Sequence, residues 1–216
     1  MIEKTIRLYN IKELEKINKR MYQKILDEEK ESCINIRFDC AMDDINDVMK
    51  YNYNIDDPSS YKFNYSISYS QGDGVSFTSD RILSYSRLSN ITETEKMNVF
   101  EKYLIDNLSI NELAMVIEYL NCGYNISIIR CGYHYYHKYT CKIDYESFYS
   151  SDDQLYCEKM DNLIYGICEK LFNDVYCEIC DHIEKMLYNY YEIDDDEVLE
   201  FLMDNEFLYT KEGYLL

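Results

Sequence analysis

The chain has 216 residues, enough for one domain with a real core or at most two small ones, and its 47% hydrophobic content excludes a disordered polymer. Acids outnumber bases 41 to 22, a net charge of −19, with 22 acids against 7 bases in residues 109–216. A surface of that sign repels phosphate backbones, so direct nucleic-acid binding is not expected. The 25 Tyr and 8 Phe, with no Trp, supply rings whose polar tips belong at the edge of a core.

Residues Asn10 to Ser32 read as a helix, with Ile11, Leu14, Ile17, Met21 and Ile25 at three- and four-residue spacing. A second helix is predicted from Met42 to Tyr51, where Asp43 and Asp44 suit the positive end of the helix dipole. The loop Asp56-Asp57-Pro58-Ser59-Ser60 launches an alternating strand, Phe63 to Tyr69. Gln71 to Gly74 turns the chain, and Val75-Ser76-Phe77 returns as a hairpin or bulged corner. Thr94 to Leu120 is helical with a break near Asn107, Ser109 capping its second part. Tyr124 to Arg130 reads as a strand and Tyr133 to Tyr145 as another. In the latter Tyr133, Tyr135, His137, Tyr139, Cys141, Ile143 and Tyr145 share one face. A long helix follows from Gln154 to Tyr191, with an apolar stripe through Leu155, Met160, Ile164, Ile167, Leu171, Val175, Ile179, Ile183 and Leu187. Asp194 to Met203 is a last short helix, and Phe207 to Thr210 with Gly213 is a closing tail or edge strand. The order predicts one α+β domain over residues 1–216, with an antiparallel sheet of about four strands from two hairpins packed against several helices.

Nine scattered cysteines, an opening Met1-Ile2-Glu3-Lys4-Thr5 without a signal-peptide core, and no run of membrane-span length point to a reduced, cytoplasmic protein without disulfides.

The Gln71-Gly72-Asp73-Gly74 turn is the leading site candidate, because glycines permit positive φ and leave Gln71 and Asp73 displayed. The competing reading is a corner in which Asp73 only bonds backbone amides. No Lys-Ser/Thr follows, so it is not a phosphate loop. The second candidate is Arg130-Cys131-Gly132-Tyr133-His134-Tyr135-Tyr136-His137. On a strand His134 and His137 face opposite ways, which makes them poor partners for one metal, and His137 reads as a partly buried, satisfied histidine. The third, Cys177-Glu178-Ile179-Cys180-Asp181-His182, has the look of half a zinc site. Its other half is missing, so neither metal nor cofactor is expected.

The stretch Ser70-Gln71-Gly72-Asp73-Gly74-Val75-Ser76-Phe77 resembles the S-Q-G-D-G-[AV]-S-F signature of a family of small proteins encoded by phages and other mobile elements. Asn10 to Leu14 is similar to that family's F-x-E-L opening. Arg130 with Tyr133, Tyr135 and His137 is similar to its R-x-x-H-x-Y-x-H strand, with Tyr133 in place of the first histidine. Glu184, Tyr190 to Glu192, and Asp204 to Gly213 are similar to its L-E-x-E-Y and N-E-Y-x-F-T-x-x-G finish. The resemblance implies a virus-against-host setting and supplies no reaction.

Three functions follow as expectations. The first is a non-enzymatic inhibitor of a host defence factor, most sharply of a CRISPR nuclease or ribonucleoprotein. There Asp194, Asp195, Asp196, Glu197, Glu200 and Asp204 would imitate phosphates. The second is a hydrolase-like enzyme built on Gln71, Asp73, Ser76, Arg130 and His137, which requires the two hairpins to bring these side chains into one pocket. The third is an antitoxin-like interaction module.

Overall fold

Asn10, Asn98 and Ser109 each accept the backbone N–H three residues on. Glu13, Glu101 and Glu112 reach back to the N–H of the capping residue, so three helix starts are closed by reciprocal caps. The computed structural model describes residues 7–55, 57–67, 73–90, 95–132, 134–149 and 153–215. It divides into two compact units, Met1–Met42 with Leu187–Leu216, and Asp43–Met186.

In the first unit, α1 (Ile11–Ile17) and α2 (Lys19–Asp39) pack with α9 (Asp195–Asp204) around Ile11, Leu14, Ile25, Leu26, Ile193, Val198, Leu202 and Tyr209. The two ends of the chain meet in an antiparallel bridge, where Tyr9 and Tyr209 exchange both backbone hydrogen bonds at 2.9 and 2.8 Å. The single helix expected over Asn10–Ser32 is two helices. Asn18 leaves helical geometry at φ −149° and ψ 78°, caps α2 through Met21 N–H, and donates its amide to the Lys211 carbonyl at 3.1 Å. Those side-chain bonds compete with the continuing helix, and Ile17 beside the break is exposed.

The second unit holds the rest: α3 (Ala41–Tyr53, entered at Asp43), β1 (Lys62–Ser66), β2 (Gly74–Thr78), α4 (Tyr85–Leu88), α5 (Val99–Asn107), α6 (Ile110–Asn121), β3 (Ile126–Arg130), β4 (Cys141–Tyr145), α7 (Gln154–Leu171) and the first part of α8 (Cys177–Tyr191). The α+β class holds, as do both antiparallel hairpins and the break between α5 and α6 with Ser109 as the cap. β1 and β2 pair from Lys62↔Thr78 to Ser66↔Gly74, and β3 and β4 from Ile126↔Tyr145 to Arg130↔Cys141.

The four strands form two two-stranded sheets joined by one bridge, Ser79↔Ile128. A side chain accounts for the gap. The outward N–H of Phe77 donates to the Tyr176 hydroxyl at 3.2 Å, and that hydroxyl faces the Phe77 carbonyl at 3.3 Å. A tyrosine thus takes the place on this edge that a neighbouring strand would occupy, and pairs both backbone groups of Phe77. Tyr119 acts likewise at Glu146, bonding its carbonyl at 2.6 Å and its N–H at 3.1 Å.

Tyr176 reaches β2 because it closes a π-helical turn, Phe172–Tyr176, between α7 and α8. From Leu171 the stripe runs Val175, Ile179, Ile183, Leu187 in steps of four. At 3.6 residues per turn such a stripe drifts by about 40° per step. A π turn carries one extra residue and returns about 100° of that drift. The N-terminal end of the stripe is shorter than expected, since Leu155 is 77% exposed.

The strand expected over Tyr133–Tyr145 exists only as β4. Tyr133 lies outside the described residues, and residues 134–140 form a loop ending in a 3-10 turn, Lys138–Thr140. Among the described residues no helix is long and apolar enough to cross a membrane.

Candidate functional site

Gly74 opens β2 at φ +143°, and a Cβ built there would lie 2.8 Å from both Cα and Cβ of His137. Only a residue without a side chain lets the strand come so close to the histidine's backbone. The loop that presents His137 is built by Arg130. Its Nε donates to the Gly132 carbonyl at 2.6 Å and its Nη2 to the Tyr135 carbonyl at 2.9 Å, while the guanidinium lies 5.3 Å from the Tyr136 ring centroid. The loop is closed at its other end by Thr140, whose N–H and hydroxyl both donate to the His137 carbonyl and whose own carbonyl accepts from Cys131 and Gly132. These local bonds replace the ladder that the alternating sequence promised.

The His137 ring stacks on Tyr135 at 5.8 Å and lies 6.1 Å from the Tyr139 ring. Its Nδ1 is buried and has no hydrogen-bond partner among the described residues. From α8, Asp181 pairs with Lys138, and Glu184 follows one turn later on the same face. Burial pushes the Glu184 carboxyl above the usual carboxylate range, and Asp181 and Asp73 push it the same way. Lys138 and His137 oppose the shift. Asp73 accepts the Ser66 hydroxyl at 2.8 Å across the mouth of the hairpin. Ser76, two residues beyond Gly74, is fully buried, and its Oγ has no partner among the described residues. Imidazole, carboxylates and ammonium are thus gathered at one corner, a set of groups able to move protons.

The expected site residues divide as follows. Asp73 and His137 come together through Gly74. Ser76 lies beneath them, closed off from solvent, so it cannot meet a substrate as a nucleophile. Arg130 serves the same corner, but as the strut of the loop. Gln71 lies outside the described residues. His137 does not share a strand face with Tyr135 and Tyr139, and its Nδ1 finds no partner among the described residues. Glu184, Asp181 and Lys138 were not expected here, because nothing in their spacing separates them from the many other charges. The nearest signal is the run Cys177, Cys180, Asp181 and Glu184 on adjoining faces of one helix.

The C-x-x-C segment holds buried free thiols at Cys177 and Cys180, and burial pushes the Cys180 thiol well up. His182 turns instead to the Tyr53 hydroxyl, 2.7 Å from its Nδ1. No three His, Cys, Asp or Glu side chains among the described residues are grouped to hold a metal ion.

In the first unit the six acids of the mimicry expectation are all exposed but not equivalent. Asp194 caps α9 through Glu197 N–H, Asp195 pairs with Lys30 at 3.1 Å, and Glu197 pairs with Arg37 at 3.4 Å. Asp196, Glu200 and Asp204, at four-residue steps along α9, have no cationic partner among the described residues.

No curated protein and no solved structure matches the chain at a significant level. A family model described as a domain of unknown function, DUF8835, matches residues 22–189, which takes in both hairpins and the whole His137 corner, and the chain therefore belongs to the DUF8835 family.

Proposed function

We propose that the protein is a hydrolase-type enzyme using general acid–base catalysis at the His137 corner. One observation carries this reading: the contact of Gly74 with His137, which places Asp73, His137 and Glu184 within one another's electrostatic reach. Two titratable groups with different environments are what acid–base work needs. His137 takes a proton from an attacking water as its oxygen bonds to the substrate's electrophilic centre. Glu184, kept protonated more readily by burial, gives a proton to the leaving group as the old bond breaks. The imidazolium then returns its proton to the Glu184 carboxylate. Lys138 stabilises negative charge that develops alongside.

The test is turnover of p-nitrophenyl acetate, bis-p-nitrophenyl phosphate and p-nitrophenyl glycosides by wild type, His137→Asn and Glu184→Gln. Losses of about 10²–10⁴-fold are expected for each variant, with the basic limb of the pH profile disappearing in Glu184→Gln. Absence of turnover on all three classes, or activity surviving His137→Asn, would overturn the reading.

A second reading is favoured by a separate observation, the exposed row Asp196, Glu200 and Asp204. It makes the chain a phage or mobile-element protein that acts inside the host cell and binds a CRISPR nuclease or ribonucleoprotein. The row would engage Arg and Lys that otherwise hold a nucleic-acid backbone. Pull-down of a nuclease subunit, lost on raising salt and lost with Asp196→Asn/Glu200→Gln/Asp204→Asn, is the expected result. Capture that ignores the triple substitution would sink mimicry.

A further inference from the structure

We infer that the groove between α2 and α9 is a docking surface for a basic amphipathic helix of a partner protein. Its apolar lining is Cys33 and Ile36 of α2, Ile193, and Val198 and Phe201 of α9, all within the first unit. Ile193 and Val198 are buried and make the floor, whereas Ile36 is 58% and Phe201 41% exposed. The groove has a volume of about 250 Å³. That is below the roughly 300–1,000 Å³ of sites that engulf drug-sized ligands, so it suits one or two apolar side chains of a larger partner.

The charge around the groove selects the occupant. Successive residues of α9 stand about 100° apart, which sets Phe201 between the buried Val198 and the acidic row Asp196, Glu200 and Asp204. On the opposite bank Asp39 is exposed three residues beyond Ile36, on the same side of α2, with no cationic partner among the described residues. Lys30 and Arg37 are already paired with Asp195 and Glu197, so neither offers a free positive charge. Carboxylates thus border an apolar floor from both helices, and the complement is a surface with Lys and Arg beside aliphatic anchors.

A second copy of the chain would set these carboxylates against themselves in a two-fold contact, and a nucleic acid or anionic membrane carries the same sign. Both banks are helices and neither presents a strand edge. A segment laid between them must therefore satisfy its own backbone, as a helix does. The acidic row takes the role it has in the second reading above, on which this assignment rests, and the groove adds the apolar anchor.

Fluorescence anisotropy of the full chain with labelled leucine–lysine peptides of about 14 residues, roughly 21 Å as helix, tests this. One peptide carries its leucines at helical spacing, a second has the same composition scrambled, and a third has glutamate in place of lysine. The first is expected to bind at least tenfold more tightly than either control. Ile36→Ser and Phe201→Ser, at positions exposed enough to spare the core, should each weaken it about tenfold. Asp196→Asn/Glu200→Gln/Asp204→Asn should weaken it too and flatten its salt dependence. Equal binding of the scrambled peptide, or binding indifferent to both apolar substitutions, would overturn the inference. If the acidic triple alone abolished binding, the second reading would survive without the groove. Failure to capture a nuclease, with the peptide pattern intact, would instead remove that reading and leave the groove. A wild-type dimer dissolved by Phe201→Ser in sedimentation, or phosphatidylglycerol vesicles bound through Phe201, would give the groove to another occupant and overturn the inference as well.

Discussion

Replacing Gly74 by alanine tests the contact on which the corner depends. The added Cβ would sit 2.8 Å from two carbons of His137, where carbon atoms ordinarily rest about 3.5–4.0 Å apart, and neither carbon can rotate away because one is backbone and the other is fixed to it. Crowding of this kind costs about 1–3 kcal/mol, and forcing a side chain to φ +143° costs a further ~1–3 kcal/mol. The loss is therefore about 2–6 kcal/mol, which for a chain of this size lowers Tm by roughly 4–24 °C. Two substitutions separate the causes. Gly123→Ala, at φ +90° with nothing within 4 Å, should cost only the backbone share of about 1–3 kcal/mol. Gly166→Ala, inside α7 with nothing within 4 Å, should gain about 0.5–1 kcal/mol. Urea and thermal unfolding followed by circular dichroism would report all three. If Gly74→Ala were no more destabilising than Gly123→Ala, the His137 loop would not be packed against β2.

Glu184 gives a pH prediction. Its folded-state pKa is raised above the ordinary value of about 4.3, so the folded state holds this proton more tightly. Stability should fall as pH rises from that value through the raised one, then level off. Glu184→Gln should remove that decline, and parallel urea midpoints for the two proteins from pH 4.5 to 7.5 would refute it. Tyr176→Phe strips the hydroxyl from the Phe77 edge and should cost about 1–3 kcal/mol; near-neutral unfolding data would remove that hydroxyl from any structural role. Arg87→Ala leaves Glu101 buried without its cation, and a urea titration should register a loss of about 1.5–3 kcal/mol, discounted from fully buried pairs because Arg87 is itself 43% exposed.

Local signals in the sequence carried the elements whose partners are near in the chain. Ser109 with Glu112 announces the start of α6, and the alternation of residues 63–69 announces β1. Both hairpins, and hence the α+β class, follow from such signals. Elements decided by distant partners were not legible. Asn18 looks like any polar residue in a helix until its amide meets Lys211, 193 positions away. Residues 134–140 alternate like a strand, yet Arg130 and Thr140 hold their carbonyls in a loop. The corner was half visible: Gly74 and His137 stand in the two stretches singled out, but Glu184 enters only because α8 is carried past them. Within the acidic set on α9, Asp195 and Glu197 pair with Lys30 and Arg37 on α2, partners that spacing along one helix does not announce.

The wide turn at Phe172–Tyr176 makes chain length a diagnostic trait. Because one additional residue is accommodated inside the helix, a relative one residue shorter between Leu171 and Cys177 would run straight through, its apolar stripes still in phase on both flanks. It would keep the helices and lose the hydroxyl that closes the edge at Phe77. Such a relative must either extend the Ser79–Ile128 bridge so that β2 and β3 become neighbouring strands or seal that edge with another side chain, so length variation in these few positions should track the merging of the two sheets into one.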